Sequence, residues 1–131
     1  MSADATKFYD TQHALITIPE KTTPSYEAMV YDGMGNVIGS DVLDELTLTL
    51  INLADETIIN GRLNQDVRNA NNVTVTLGGL LTYSLQIADT TMQDQTKSRE
   101  VHRAIFYMRY ATTKHWRWQV DFTIHNISMV P

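Results

Sequence analysis

The sequence predicts an all-β protein, an antiparallel sandwich or barrel of about eight or nine short strands. Runs of strict apolar–polar alternation recur along the chain, separated by turn signals rich in Gly, Asn and Pro. No stretch long enough for an ordinary helix repeats its apolar positions with helical period.

Residues 1–12 (MSADATKFYDTQ) show neither period and read as an extended N-terminal arm, either disordered or laid against something else; 13–131 read as one β domain. HALITI (13–18) reads as a strand that stops at Pro19, with Pro24 discouraging helix after it. YEAMVY (26–31) runs into the turn DGMGN (32–36), and Val37 and Ile38 begin the return. In ELTLTLI (45–51), Leu46, Leu48 and Leu50 share one face and Thr47 and Thr49 the other, which is a half-buried strand. ADE (54–56) turns into a short strand, TIIN (57–60), closed by Gly61; RLNQDVRNANN (62–72) reads as a polar loop. Val73, Val75 and Leu77 alternate with threonines, Gly78-Gly79 turns the chain, and Leu81, Tyr83, Leu85 and Ile87 alternate on the way back. After a polar connection (88–99) comes the longest hairpin, VHRAIFYMRY (101–110) and WRWQVDFTI (116–124), linked by ATTKH (111–115). Ala104, Phe106 and Met108 face opposite to Arg103, Ile105, Tyr107 and Arg109. Trp116, Trp118, Val120, Phe122 and Ile124 share the face predicted to fill the core.

At 131 residues the chain makes one domain, and 43% apolar with 19% charged residues is the composition of a packed one. There is no cysteine, so disulfides, thiolate metal sites and cysteine nucleophiles are excluded together. A net charge of −5 argues against nucleic acid as a partner. The absence of a membrane-length apolar run or a signal-like N-terminus predicts a protein with no membrane partner, used without translocation. The charge is unevenly spread: residues 1–66 carry three basic and eleven acidic side chains, residues 67–131 seven and four. Such asymmetry suits copies that meet in one orientation, and surface placement alone also produces it.

Motifs for chemistry are missing. His13, His102, His115 and His125 form no zinc-type spacing; His102 and His125 are placed side by side on the last hairpin, as polar strand-end residues. Asp32, Asn36, Asp41, Asp44 and Glu45 cluster without the alternation of a calcium loop, and read as a solvated hairpin. No serine sits in a GxSxG elbow, and no Walker or GxGxxG loop occurs. The sequence predicts a non-enzymatic protein with no catalytic, cofactor or metal site.

Two groups of residues stand out as partner contacts. Lys7, Phe8 and Tyr9 are the bulky part of the arm. Arg103, Tyr107, Arg109 and Arg117 share the exposed face of the last hairpin and are of the types enriched in interface hot spots. The alternative use of the second group is internal, with Arg103 paired to Asp121 across the strands and an arginine stacked on Tyr107.

Three stretches carry a resemblance: LTLTLINLADETIING (46–61), NQDVRNANNVTVTLGGLLTYSLQIADTTM (64–92) and FTIHNISMVP (122–131). They look like an immunoglobulin-like module of tailed-bacteriophage virions and are similar to the N-terminal domain of the phage baseplate upper protein family. The matching features are a strand ending at an IIN turn, a glycine turn before an LTYSL strand, an aspartate-led connection and a last strand ending F-x-I-x-N. The resemblance implies an immunoglobulin-like or jelly-roll-like sandwich in a virion structural protein, assembled in the host cytoplasm. The chain has no coiled-coil or receptor-binding region, and its format is similar to that of head decoration (cement) proteins. The partners implied are the major capsid protein or other virion subunits, with many lattice-bound copies or a homo-oligomer. An adaptor of neck, tail or baseplate is the alternative. A carbohydrate-binding sandwich is a further one, with Trp116, Trp118 or Tyr107 stacked on sugar. It needs an exposed tryptophan, whereas the alternation puts both on the core side.

Overall fold

A computed structural model describes residues 7–9, 16–32 and 34–127. Among these, two sheets pack face to face as a β-sandwich. The strands are β1 (Lys7–Tyr9), β2 (Ile16–Pro19), β3 (Ser25–Met29), β4 (Leu43–Asn52), β5 (Gln65–Asp66), β6 (Val73–Val75), β7 (Leu80–Ser84), β8 (Arg99–Tyr110) and β9 (Lys114–His125). One sheet has the order β1-β3-β7-β6 and the other β2-β9-β8-β4-β5. All pairs are antiparallel except two at the N-terminal end, β1 with β3 and β2 with β9. The order β3-β7-β6 against β9-β8-β4-β5 is that of an immunoglobulin-type sandwich.

The core follows from the alternation. Leu46, Leu48 and Leu50 of β4 face inward beside Ala104, Phe106 and Met108 of β8, and Val120, Phe122 and Ile124 of β9 complete that wall. Tyr26 of β3 and Tyr83 of β7 cover it from the other sheet. Phe106 is the hub: Tyr26 stacks on it at 6.2 Å, Tyr83 meets it edge-on at 6.2 Å, and Trp118 stacks at 4.9 Å.

The chain departs from the periodic reading where apolar residues fall in turns. TIIN makes no strand; Ile58 forms one bridge to Ile51 and Ile59 is buried. β6 stops at Val75, because Thr76 already bonds across the hairpin to Leu80, and this leaves Leu77 exposed. Ile87 is exposed too, at the start of a 3₁₀ turn (Ile87–Asp89), while the polar connection after it buries Asp89, Thr90 and Met92. In the loop over 60–72, Asn60, Asn64, Asn69, Asn71 and Asn72 take positive φ, the left-handed conformation that asparagine tolerates best after glycine. Both halves of the chain contribute strands to each sheet, so the charge asymmetry along the sequence does not assign one sheet to each half.

Candidate interaction surfaces

The outer face of the five-stranded sheet gathers the four hairpin residues expected there. Arg103, Ile105, Tyr107 and Arg109 of β8 are half-buried on the outside, each between fully buried neighbours, and register sets Arg117 opposite Tyr107. Much of this surface is tied to itself. Arg103 Nε and Nη2 donate to the two Asp121 carboxylate oxygens at 2.7 and 2.9 Å, and these bonds raise the guanidinium pKa further. Arg109 Nη1 lies 3.7 Å from the Asp44 carboxylate and donates to the Thr112 carbonyl at 3.3 Å. The Arg117 guanidinium sits 5.8 Å over the Tyr107 ring, whose hydroxyl bonds His115 Nδ1. Among the described residues Arg117 makes no ion pair. A shallow groove of about 430 Å³ runs between Ile105, Tyr107 and Arg117 and the loop residues Leu63 and Asn64, with Thr47 and Thr49 of β4 also lining it.

Lys7, Phe8 and Tyr9 form β1, paired in parallel with Ser25, Tyr26 and Glu27 at the edge of the other sheet. The two groups of contact residues therefore sit on different sheets; the rest of the arm lies outside the described residues.

A second surface was misplaced by periodicity. Trp116 has the inward parity of Val120 and Phe122, yet it is 45% exposed. β9 is twelve residues long, while β3 opposite it spans five and its chain turns off through the Tyr31–Val37 bridge. The first residues of β9 thus outrun the layer that would cover them. Between the sheets at this end lies a cleft of about 200 Å³, lined by Ala28–Asp32 on one wall and by Trp116 and Trp118 on the other. Met29 and Tyr31 are exposed beside it, and Trp118 is half-buried with its indole N–H enclosed and without an acceptor.

The loop over 60–72 is pinned by a side chain that the sequence did not single out. Arg62 is 2% exposed, and its five N–H groups meet five acceptors. Nε and Nη2 take the two oxygens of Asp89 at 2.7 and 3.1 Å; Gln65, Asn72 and the Asn71 carbonyl take the rest. Burial alone pushes the Arg62 pKa down, but the hydrogen bond to Asp89, with that carboxylate's charge, carries it above its ordinary value. Burial, reinforced by the Asp89 carboxylate, holds the Tyr83 phenol well up. Asp89 also accepts from Asn60 Nδ2 and from the Gln86 main chain. An arginine in a polar, asparagine-rich run carries no signal of burial, and its partner lies 27 residues away.

His102 is another correction. It is fully buried on β8 opposite Phe122, while His125 lies opposite Arg99, so the two are not neighbours. His102 Nδ1 donates to the Asp89 carbonyl at 2.8 Å and Nε2 meets the Glu100 carboxylate, which also accepts the main-chain N–H groups of Gln93 and Asp94. Arg62, Asp89, His102 and Glu100 thus form one buried chain of contacts. In the acidic cluster, Asp32 accepts the N–H groups of Met34 and Asn36, and those bonds hold its pKa below the usual carboxylate value. Among the described residues no group of His, Asp and Glu is disposed to hold a metal ion.

Compared with family models, with curated proteins and with solved structures, the chain matches none.

Proposed function

We propose that this chain is a non-enzymatic structural protein of a tailed-phage virion, a decoration protein that bridges and stabilises the subunits of an expanded capsid shell. The observation that carries the reading is the outer face of β9, β8 and β4. There Tyr107 and Arg117 flank a shallow groove, and Arg103 and Arg109 are already fixed by Asp121 and Asp44. A partner meeting this face orders few side chains, so little of the contact energy is lost to entropy. The resemblance of residues 46–61, 64–92 and 122–131 to an immunoglobulin-like virion module supplies the partner class. Each bound copy would stabilise the shell form it binds better, by mass action.

Co-sedimentation with expanded shells lacking the protein tests this, with isolated tails as the parallel sample. Saturable binding to shells at many copies per particle is expected, weakened at least tenfold in the Tyr107→Ala/Arg117→Ala double variant, as loss of a hot spot demands. Binding to tails alone would make the protein an adaptor of neck, tail or baseplate; binding to neither would overturn the virion reading.

A further inference from the structure

The cleft between the sheets lies on the opposite side of β9 from Arg117 and has a chemistry of its own. Two indoles and the 28–32 segment border about 200 Å³, and the only ionised residue among those lining it is Asp32. Its charge is secured by the turn: Asn36 donates main-chain and side-chain N–H groups to it and Met34 a third. Trp118 has one face against Phe106, 4.9 Å away, while Trp116 and Tyr31 are each about half exposed. Among the described residues the cation–π contacts are made by Arg62 and Arg117, on Tyr83 and Tyr107, so the rings of the cleft hold no cation from this chain. Lys114 acts on Asp32 through space and is a competing charge.

The ligand class follows from what such walls can satisfy. A saccharide brings hydroxyls that must exchange water for protein partners, and buried hydroxyls left unpaired are costly. The Asp32 oxygens already accept three N–H groups, and the Trp118 N–H is enclosed. A neutral apolar ligand would leave the carboxylate and the negative ring faces without use. A cation that forms no hydrogen bonds fits both: its charge is attracted by the ring quadrupoles and the carboxylate, and its methyl groups match apolar walls. The volume lies below that of ordinary cofactor pockets, the size of a head group and not of a whole cofactor.

We infer that this cleft is a binding site for a quaternary ammonium group, held between Trp116 and Trp118 and drawn by Asp32. The group has two common sources, a choline head group and a trimethylated lysine side chain, and the cleft chemistry is shared by both. The inference is independent of the outer face of the sheet and stands or falls apart from the virion reading.

The full chain titrated with tetramethylammonium, followed by tryptophan fluorescence and by the indole N–H resonances, tests it. Saturable binding is expected, with neopentane-type neutral isosteres such as 3,3-dimethylbutanol at least tenfold weaker than choline. Trp116→Ala should weaken binding by roughly two- to thirtyfold, the range of a cation–π contact. Because Trp116 is half exposed, its removal leaves the fold intact, which the thermal melt of the variant checks. Asp32→Asn should weaken binding of the cation and leave that of the isostere unchanged. Parallel titrations with phosphocholine and with a trimethyllysine peptide then separate the two sources. Equal binding of choline and its isostere, binding of oligosaccharides in place of the cation, or no binding at 50-fold above about 1 mM would each overturn the inference.

Discussion

Removing Asp89 isolates a buried guanidinium, and the cost can be worked from its contacts. Asp89→Ala deletes two of the five acceptors of Arg62 and also the partner of Asn60 and of the Gln86 N–H. Breaking a buried ion pair from one side costs about 3–5 kcal/mol, because the other charge stays in the interior without compensation. For a chain of this length that is a drop of roughly 10–20 °C in Tm, and a large part of an ordinary domain's total stability. Arg62→Met leaves the opposite orphan and should cost a similar amount. The informative variant is the double one, in which neither charge remains. It should lose less than the two single losses added together, by about 1–3 kcal/mol of coupling. Urea melts followed by tryptophan fluorescence measure all three, provided the slope with denaturant stays constant across the set. Single variants that each lose under about 1 kcal/mol, or a double variant that is strictly additive, would refute the claim that this pair locks the loop to the 3₁₀ turn.

Two glycines should separate cleanly by urea melts. At Gly39 a Cβ would stand 2.1 Å from the Leu77 carbonyl oxygen, so Gly39→Ala should cost about 3 kcal/mol or more. Gly35 has φ +85° with open space around it, so Gly35→Ala should cost only the left-handed penalty of about 1–2 kcal/mol; equal losses would be wrong for this packing. The carboxylates of Asp32, Asp55 and Asp94, held low by bonds from Asn36, Thr57 and Thr96, should titrate below 3.8 in carbon NMR. Since a lowered folded-state pKa stabilises above the unfolded value, their contributions should vanish only as pH falls below 3.8 through the folded values. Iodide should quench the Trp118→Phe chain, which keeps Trp116, more strongly than Trp116→Phe; the reverse order would place the wrong indole in solvent.

The fold was legible where the strands themselves were long. β4, β8 and β9 alternate over ten or twelve residues, and each inward residue of β4 and β8 is buried as its parity requires. Periodicity fixes the side a residue faces, not whether anything lies over it. Trp116 shows the difference, because the layer opposite ends before β9 does. Leu77 and Ile87 fail for another reason, since the chain turns at those residues and parity has no meaning there. On the candidate surface, the shared face of Arg103, Tyr107, Arg109 and Arg117 followed from period two, and the pairing of Arg103 with Asp121 from the hairpin register. The buried polar network was not legible. Arg62, Asp89 and His102 meet through the tertiary contact of a loop with a 3₁₀ turn, and no local pattern encodes that meeting.

The network bears on the surfaces through β8, which carries both. Along this strand His102 is inside and Arg103 outside, and the alternation continues to Tyr110, so the inner row fixes the position of every outer residue. His102 holds the start of β8 to the 3₁₀ turn through Asp89, and Phe106 holds its middle between rings from both sheets. Recognition side chains between such anchors have little freedom left to lose on binding, and rigid placement favours affinity more than additional contact area does. A buried ion pair adds little net stability over an apolar equivalent, so its contribution here is better measured as geometry. It holds the 60–72 loop, and with it Leu63 and Asn64, in place against the groove that Tyr107 and Arg117 line.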